Sequence, residues 1–148
     1  MHAVTPGTRA RLGLGLMLAV AVALAGCGGG SAAPAATFTE IYPLIFPRAT
    51  KAQCTFCHGL PSNDKSNGNL SVGADKASAY ASLMATSTSS MCGGNQPLIV
   101  PGDPDTSLFF LKLTTPPCGG RMPLGGDPLT AEQLAMVRSW IEAGAQDD

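Results

Sequence analysis

Five consecutive residues, Cys54, Thr55, Phe56, Cys57 and His58, constrain this chain more than any other stretch. Two cysteines three positions apart, with a histidine directly after the second, have the spacing of a covalent haem attachment site. Each thiol adds to one vinyl group of the porphyrin, and the two residues between the cysteines let both sulfurs reach the same edge of the ring. His58 is then placed to bind the iron as its proximal axial ligand. The spacing therefore predicts one covalently bound haem c.

Two other uses of a Cys-x-x-Cys pair compete with haem attachment. A thiol redox pair of the thioredoxin type lies in a strand–helix–strand context, and the sequence contains no such pattern. A tetrahedral zinc site needs a fourth ligand besides Cys54, Cys57 and His58, and the only other histidine is His2. The haem site is therefore the preferred interpretation.

The composition agrees with a small domain rich in loops. The 148 residues include 18 glycines and 12 prolines, whereas only 5% of the residues are aromatic. A core made of protein alone would be thin, and a covalently held porphyrin would supply apolar volume. Charged residues make up 13% of the chain, with a formal net charge of −1, so no basic surface indicates nucleic acid binding.

The N-terminal residues have the pattern of an export signal. Arg9 and Arg11 precede an apolar run over residues 12–25, which suits a signal peptide and is too short to span a membrane. The run ends in Leu-Ala-Gly-Cys at residues 24–27, which is similar to the lipobox of bacterial lipoproteins. An ordinary secretory signal with an incidental cysteine is the alternative.

This pattern divides the chain into three parts. Residues 1–26 are expected to be a lipoprotein signal peptide, and residues 27–37 a lipidated Cys27 followed by a flexible Gly/Ala/Ser tether. Residues 38–148 are expected to form a mono-haem domain. Because glycine and not aspartate follows Cys27, the outer membrane is favoured, with the domain facing the periplasm or the cell exterior.

The domain is predicted to be all-α, a small helical fold around one haem with long loops. Apolar side chains recur at helical spacing, and residues 98–100 form a short extended run. We expect N-caps at Thr39, at Asp105 or Thr106, and at Thr130, where Gln133 completes a capping box. We also expect the last helix to pack across the first. The predicted helices cover residues 38–46, 54–58, 74–85, 106–113 and 130–143.

The second axial ligand of the iron is expected to be a methionine. His58 is the only histidine after the signal peptide, which excludes two histidine ligands from one chain. Met122 is favoured, because the glycines around it let backbone approach a flat ring and Pro123 stiffens the chain beside it. Met91, in a polar loop, is the second choice. The candidates are Met84, Met91, Met122 and Met136.

Three other residues have roles that the sequence leaves open. Pro61 would direct a backbone carbonyl to the second ring nitrogen of His58. Tyr80 would either contact the porphyrin or its propionate, or be a core aromatic residue with its hydroxyl at the surface. Arg121 would either pair with a propionate or remain a solvated charge of its loop.

In an oxidising compartment Cys92 and Cys118 are expected to form a disulfide. The bridge would close a loop of about 26 residues and stabilise the domain by about 3 kcal/mol. Because Cys118 lies shortly before Met122, it would also hold the ligand loop. Two free thiols, or pairing with another protein, are the alternatives.

Six stretches of the chain together resemble the class I cytochromes c, and more closely the mono-haem cytochrome c-like domains of bacterial lipoproteins. The resemblance spans residues 38–145; its haem motif is specific, whereas its other stretches are individually weak. It implies a helical fold around the haem with His58 and Met122 as axial ligands. One departure is that residues 58–68 lack the glycine-dense loop of mitochondrial-type cytochromes. The matching stretches are residues 41–45, 54–59, 79–83, 100–105 with 107–108, 122–126 and 140–145.

Single-electron transfer is the expected function, and enzymatic activity is not expected. With His58 and Met122 on the two faces of the haem, the iron would change oxidation state without exchanging ligands. The redox protein partners are not specified by the sequence, and the lipid on Cys27 would be the contact with the membrane. The alternatives are a peroxidase-like enzyme, a sensor in which a ligand displaces Met122, and a zinc or disulfide domain without haem.

Overall fold

The computed structural model is predominantly helical, with a small two-stranded antiparallel sheet; helices make up 42% and strands 4% of its described part. It describes residues 34–47, 50, 52–59, 70–73 and 75–148. The elements are α1 (Phe38–Ile45), α2 (Cys54–His58), α3 (Lys76–Leu83), β1 (Thr86–Ser87), a 3₁₀ turn (Ser90–Cys92), β2 (Gln96–Pro97), α4 (Leu108–Leu113) and α5 (Ala131–Glu142).

The predicted helical class is thus confirmed, and the sheet is an addition to it. Among the described residues, no helix combines the length and apolar composition needed to cross a membrane. The predicted signal peptide and the lipidation site at Cys27 lie outside these residues.

Helix α1 forms as the apolar spacing predicts, with Phe38, Ile41 and Ile45 buried. The predicted N-cap at Thr39 is wrong. Thr37 caps the helix instead, in a capping box with Glu40. Thr39 thus lies within the first turn of the helix, where its hydroxyl donates to the carbonyl oxygen of Asp148.

Helix α5 packs on α1 as predicted. Its capping box of Thr130 and Gln133 is confirmed, and Val137, Trp140 and Ile141 are buried. The rings of Phe38 and Trp140 stack with their centroids 5.1 Å apart. The two helices therefore share an aromatic core, which extends from the start of α1 to the end of α5.

The strands β1 and β2 occupy a region that the sequence predicts as loop. Thr86 pairs with Pro97 and Ser87 with Gln96. The extended run at residues 98–100, in contrast, is outside any strand; Leu98 and Ile99 are buried in the core. Since each strand has two residues, neither shows the alternation of apolar and polar residues that marks longer strands.

Helix α4 begins after Ser107, not after Asp105 or Thr106 as predicted. The fully buried Ser107 hydroxyl accepts from the Val100 amide and donates to the Asp103 carbonyl oxygen, both at 2.8 Å. The side chain therefore bonds the turn at residues 100–106 and does not cap the helix.

Candidate functional site

The Cys-x-x-Cys-His motif forms one helical turn, α2, as predicted. The end of α1 holds this turn, because the Thr55 amide donates to the Phe46 carbonyl oxygen at 3.0 Å. Cys54 is half-buried against the core, Cys57 is exposed, and neither is in a disulfide. Burial raises the pKa of the Cys54 thiol to about 11, so this sulfur stays protonated at neutral pH.

The His58 ring is oriented by a backbone carbonyl. Its Nδ1 lies 3.1 Å from the carbonyl oxygen of Leu70. Because a carbonyl oxygen only accepts hydrogen bonds, Nδ1 carries the hydrogen and Nε2 keeps its lone pair. Burial lowers the pKa of His58, although the bond to Leu70 acts in the opposite direction. The ring is therefore a neutral imidazole whose Nε2 has a free lone pair.

The sequence predicts that Pro61 directs a backbone carbonyl to the second ring nitrogen of His58, but Pro61 lies outside the described residues. The segment that supplies the carbonyl, residues 70–73, also bonds the motif through its backbone, since the Val72 amide donates to the His58 carbonyl oxygen at 2.7 Å. Gly73 lies so close to Gly59 that a Cβ on Gly73 would overlap the Gly59 carbonyl group. No local pattern in the sequence points to this pairing, because 12 residues separate His58 from Leu70.

Met122 lies in an irregular loop and packs, half-buried, against the same core as Cys54. Its amide donates to the Lys112 carbonyl oxygen at 2.7 Å, and the peptide bond to Pro123 is cis. The Lys112 ammonium group donates to the carbonyl oxygens of Cys118 and Gly120. Lys112 was not singled out from the sequence, because a lysine near a helix end has no signature of such contacts.

Cys92 and Cys118 are paired at disulfide distance, with Cα atoms 5.3 Å apart across a separation of 26 residues. This pair connects the loop at residues 118–122, which contains Met122, to the 3₁₀ turn that contains Met91. The Met91 sulfur lies beside Gly119, 2.9 Å from where a Cβ would be. Both preferred ligand candidates are therefore linked to one loop, but Met91 is 72% exposed whereas Met122 is half-buried.

The remaining methionines and the open side chains have simpler surroundings. Met136 packs against the core, and Met84, just after α3, is 39% exposed. The Tyr80 hydroxyl donates to the Ala145 carbonyl oxygen at 3.0 Å, and its ring lies 5.6 Å from that of Phe38. The core-aromatic interpretation of Tyr80 fits these contacts. Arg121 is exposed.

The donor set fits a covalently held haem. Two thiols lie three positions apart on one turn, the imidazole has one nitrogen engaged and one with a lone pair, and a thioether lies in a loop fixed by other contacts. Within the described part of the chain, no three His, Cys, Asp or Glu side chains form a group able to hold a metal ion. A cleft of about 380 Å³ beside α4 and α5 is lined by none of the four candidate haem-binding residues, Cys54, Cys57, His58 and Met122.

No protein-family model matches this chain, and the comparisons with curated proteins and with solved structures find no match either.

Proposed function

We propose that this chain is a mono-haem c-type cytochrome that transfers single electrons. The observation that carries the proposal is the Cys54–His58 turn, in which the imidazole is held through Nδ1 by the Leu70 carbonyl oxygen. Metal-binding histidines commonly donate a hydrogen bond from the N–H of their second ring nitrogen to a carbonyl or a carboxylate, which fixes the ring and raises its basicity. A histidine that serves only as core filler does not need this tautomer.

Each residue of the motif has a defined role in this proposal. Cys54 and Cys57 would hold the porphyrin through thioethers, and His58 would bind the iron through Nε2. Met122 would supply a sulfur as the second protein ligand. The haem would supply a one-electron Fe(III)/Fe(II) couple. With both His58 and Met122 as ligands, the iron would have no vacant position for a substrate, which favours electron transfer over catalysis.

The proposal also places the domain outside the cytoplasm. Signal cleavage before Cys27 and its lipidation would anchor the chain to a bacterial membrane, preferably the outer membrane. Two or three acyl chains anchor a protein firmly, whereas one does so only marginally. The redox domain from residue 38 onward would then act on the periplasmic side or at the cell exterior, on partners that accept or donate single electrons.

The test is expression in a strain that carries out cytochrome c maturation. A denaturing gel stained for haem should show covalent haem in the wild type and none in a Cys54→Ser/Cys57→Ser variant. The absence of haem from the wild type would refute the proposal. Replacing Cys27 by serine should release the domain from the membrane while the haem stain is kept.

The ligand assignment is tested by absorption spectroscopy of the ferric protein. Met122→Ala should abolish the sulfur-to-iron charge-transfer band, whereas Met91→Ala, the matched control, should keep it. The reverse result would assign the ligand to Met91. A high-spin ferric spectrum of the wild type, or rapid peroxide turnover, would favour a haem enzyme. A potentiometric titration would then give the range of partners with which electron transfer is favourable.

A further inference from the structure

Lys112 makes three hydrogen bonds with the backbone that leads to Met122. Its ammonium nitrogen Nζ donates to the Cys118 carbonyl oxygen at 2.8 Å and to the Gly120 carbonyl oxygen at 2.7 Å. Its own carbonyl oxygen accepts from the Met122 amide at 2.7 Å. Lys112 thus bonds three backbone groups of residues 118–122, and does so from the last turn of helix α4.

The two ammonium contacts lie on either side of Gly119. This glycine has a φ of 58°, a left-handed conformation that other residues adopt only with strain. The contacts therefore fix the carbonyl groups on both sides of the turn that leads to Met122. Hydrogen bonds donated by a charged group are shorter and stronger than neutral ones, so this turn is held more firmly than by backbone bonds alone.

The charge of Lys112 is met by carbonyl oxygens. The ion pairs between described residues are Lys76–Asp147, Arg138–Asp105 and Arg138–Glu142. Lys112 is not among them, although its side chain is half-buried. The hydrogen bonds of the Lys112 ammonium group therefore go to the backbone between Cys118 and Met122, and not to a carboxylate.

We propose that Lys112 is a positioning residue for the sixth ligand: its ammonium group holds the backbone at Cys118 and Gly120 so that Met122 presents its sulfur to the haem iron. This inference rests on the proposed function, since it requires Met122 to be the ligand. Without the ammonium group, the loop would keep the disulfide and the hydrogen bond of the Met122 amide but lose both contacts around Gly119, and the sulfur would leave the iron more often.

The test is an imidazole titration of the full-length, haem-loaded ferric protein, followed by the loss of the sulfur-to-iron charge-transfer band. Imidazole binds only when the methionine sulfur has left the iron, so its apparent affinity reports how firmly the loop is held. Lys112→Met keeps a long side chain and the backbone acceptor but removes the ammonium group. We expect imidazole to bind this variant at least about tenfold more tightly, because two charge-assisted hydrogen bonds are lost.

Two further variants separate positioning from general effects. Lys112→Arg keeps a cation with several donors and should return most of the wild-type resistance to imidazole. Lys76→Met removes the same charge from a lysine at the start of α3, where it bonds Asp147, the Asp148 carbonyl oxygen and the Thr39 hydroxyl of α1. It should leave the imidazole affinity unchanged even where it lowers the unfolding temperature.

The outcomes distinguish this inference from the proposed function. If the wild type contains no haem or lacks the charge-transfer band, the proposed function fails and this inference fails with it. If the wild type shows the band but Lys112→Met and wild type bind imidazole equally, only the positioning role is overturned. An equal rise in Lys76→Met also overturns it. Should Lys112→Met not accumulate, Lys112→Gln replaces it, and equal affinities of the Gln and Arg variants overturn the inference.

Discussion

Replacing Cys92 and Cys118 together by alanine should lower the free energy of unfolding by about 3.5 kcal/mol. The disulfide spans 26 residues, and the chain-entropy relation for a loop of this length gives roughly 12 cal/mol/K, or about 3.5 kcal/mol at 25 °C. The loss would be a large part of a typical stability of about 5–15 kcal/mol. With an m value of about 2 kcal/mol per M, the urea midpoint should fall by roughly 1.7 M.

The measurement is a urea titration followed by the fluorescence of Trp140, the one tryptophan in the chain, which is buried. Wild-type protein treated with a disulfide reductant is the matched control, since reductants cleave the disulfide and would leave the proposed thioethers intact. Both samples are compared in the ferrous state, and both should lose the same free energy. A loss below about 1 kcal/mol at an unchanged m value would show that the bridge does not restrict the unfolded chain as argued.

Ser107→Ala leaves two backbone groups without their partner and should cost about 1–3 kcal/mol, whereas exposed Thr106→Ala should change the unfolding free energy by less than about 0.5 kcal/mol; equal losses in a urea titration would contradict this role. Gly73→Ala adds a methyl group that would overlap the Gly59 carbonyl group. The substitution should move the Leu70 carbonyl oxygen away from His58 and so shift the midpoint potential of the haem. Gly126→Ala, whose Cβ would lie 3.1 Å from a proline side chain, should leave the potential unchanged. Because burial lowers the pKa of His58 from 6.5, the unfolded chain binds the proton more readily, and the unfolding free energy of the apoprotein should fall as the pH decreases below 6.5. His58→Gln should remove this pH dependence. If the unfolding free energy of the variant falls with pH as that of the wild type does, His58 is not its cause.

The helices that could be predicted from the sequence are those with an apolar face and a local cap. Helix α5 has both, and its Thr130 capping box lies where the sequence predicts it. The cap of α1 was misplaced although a local signal exists: Glu40 lies three residues after Thr37 and completes a capping box, whereas Tyr42 is at that position after Thr39. The sheet was missed because strands of two residues have no periodicity to detect.

The candidate site divides in the same way. Its two cysteines and its histidine lie within the five residues 54–58, so their spacing is visible in the sequence. The groups that orient His58 and the ligand loop are a carbonyl oxygen of Leu70 and the ammonium group of Lys112. Every residue has a carbonyl and lysines are common on helices, so only the tertiary structure shows which of them make these contacts.

The contact between the first and last helices also sets an order of events during synthesis. The Ala36 amide donates to the Ser139 hydroxyl, 103 residues later in the chain, and Phe38 stacks on Trp140. The core against which Cys54 packs is therefore incomplete until α5 has been made. A nascent chain would therefore expose both thiols of α2 before its final helix is made, and the proposed haem attachment would act on a chain whose core is still open.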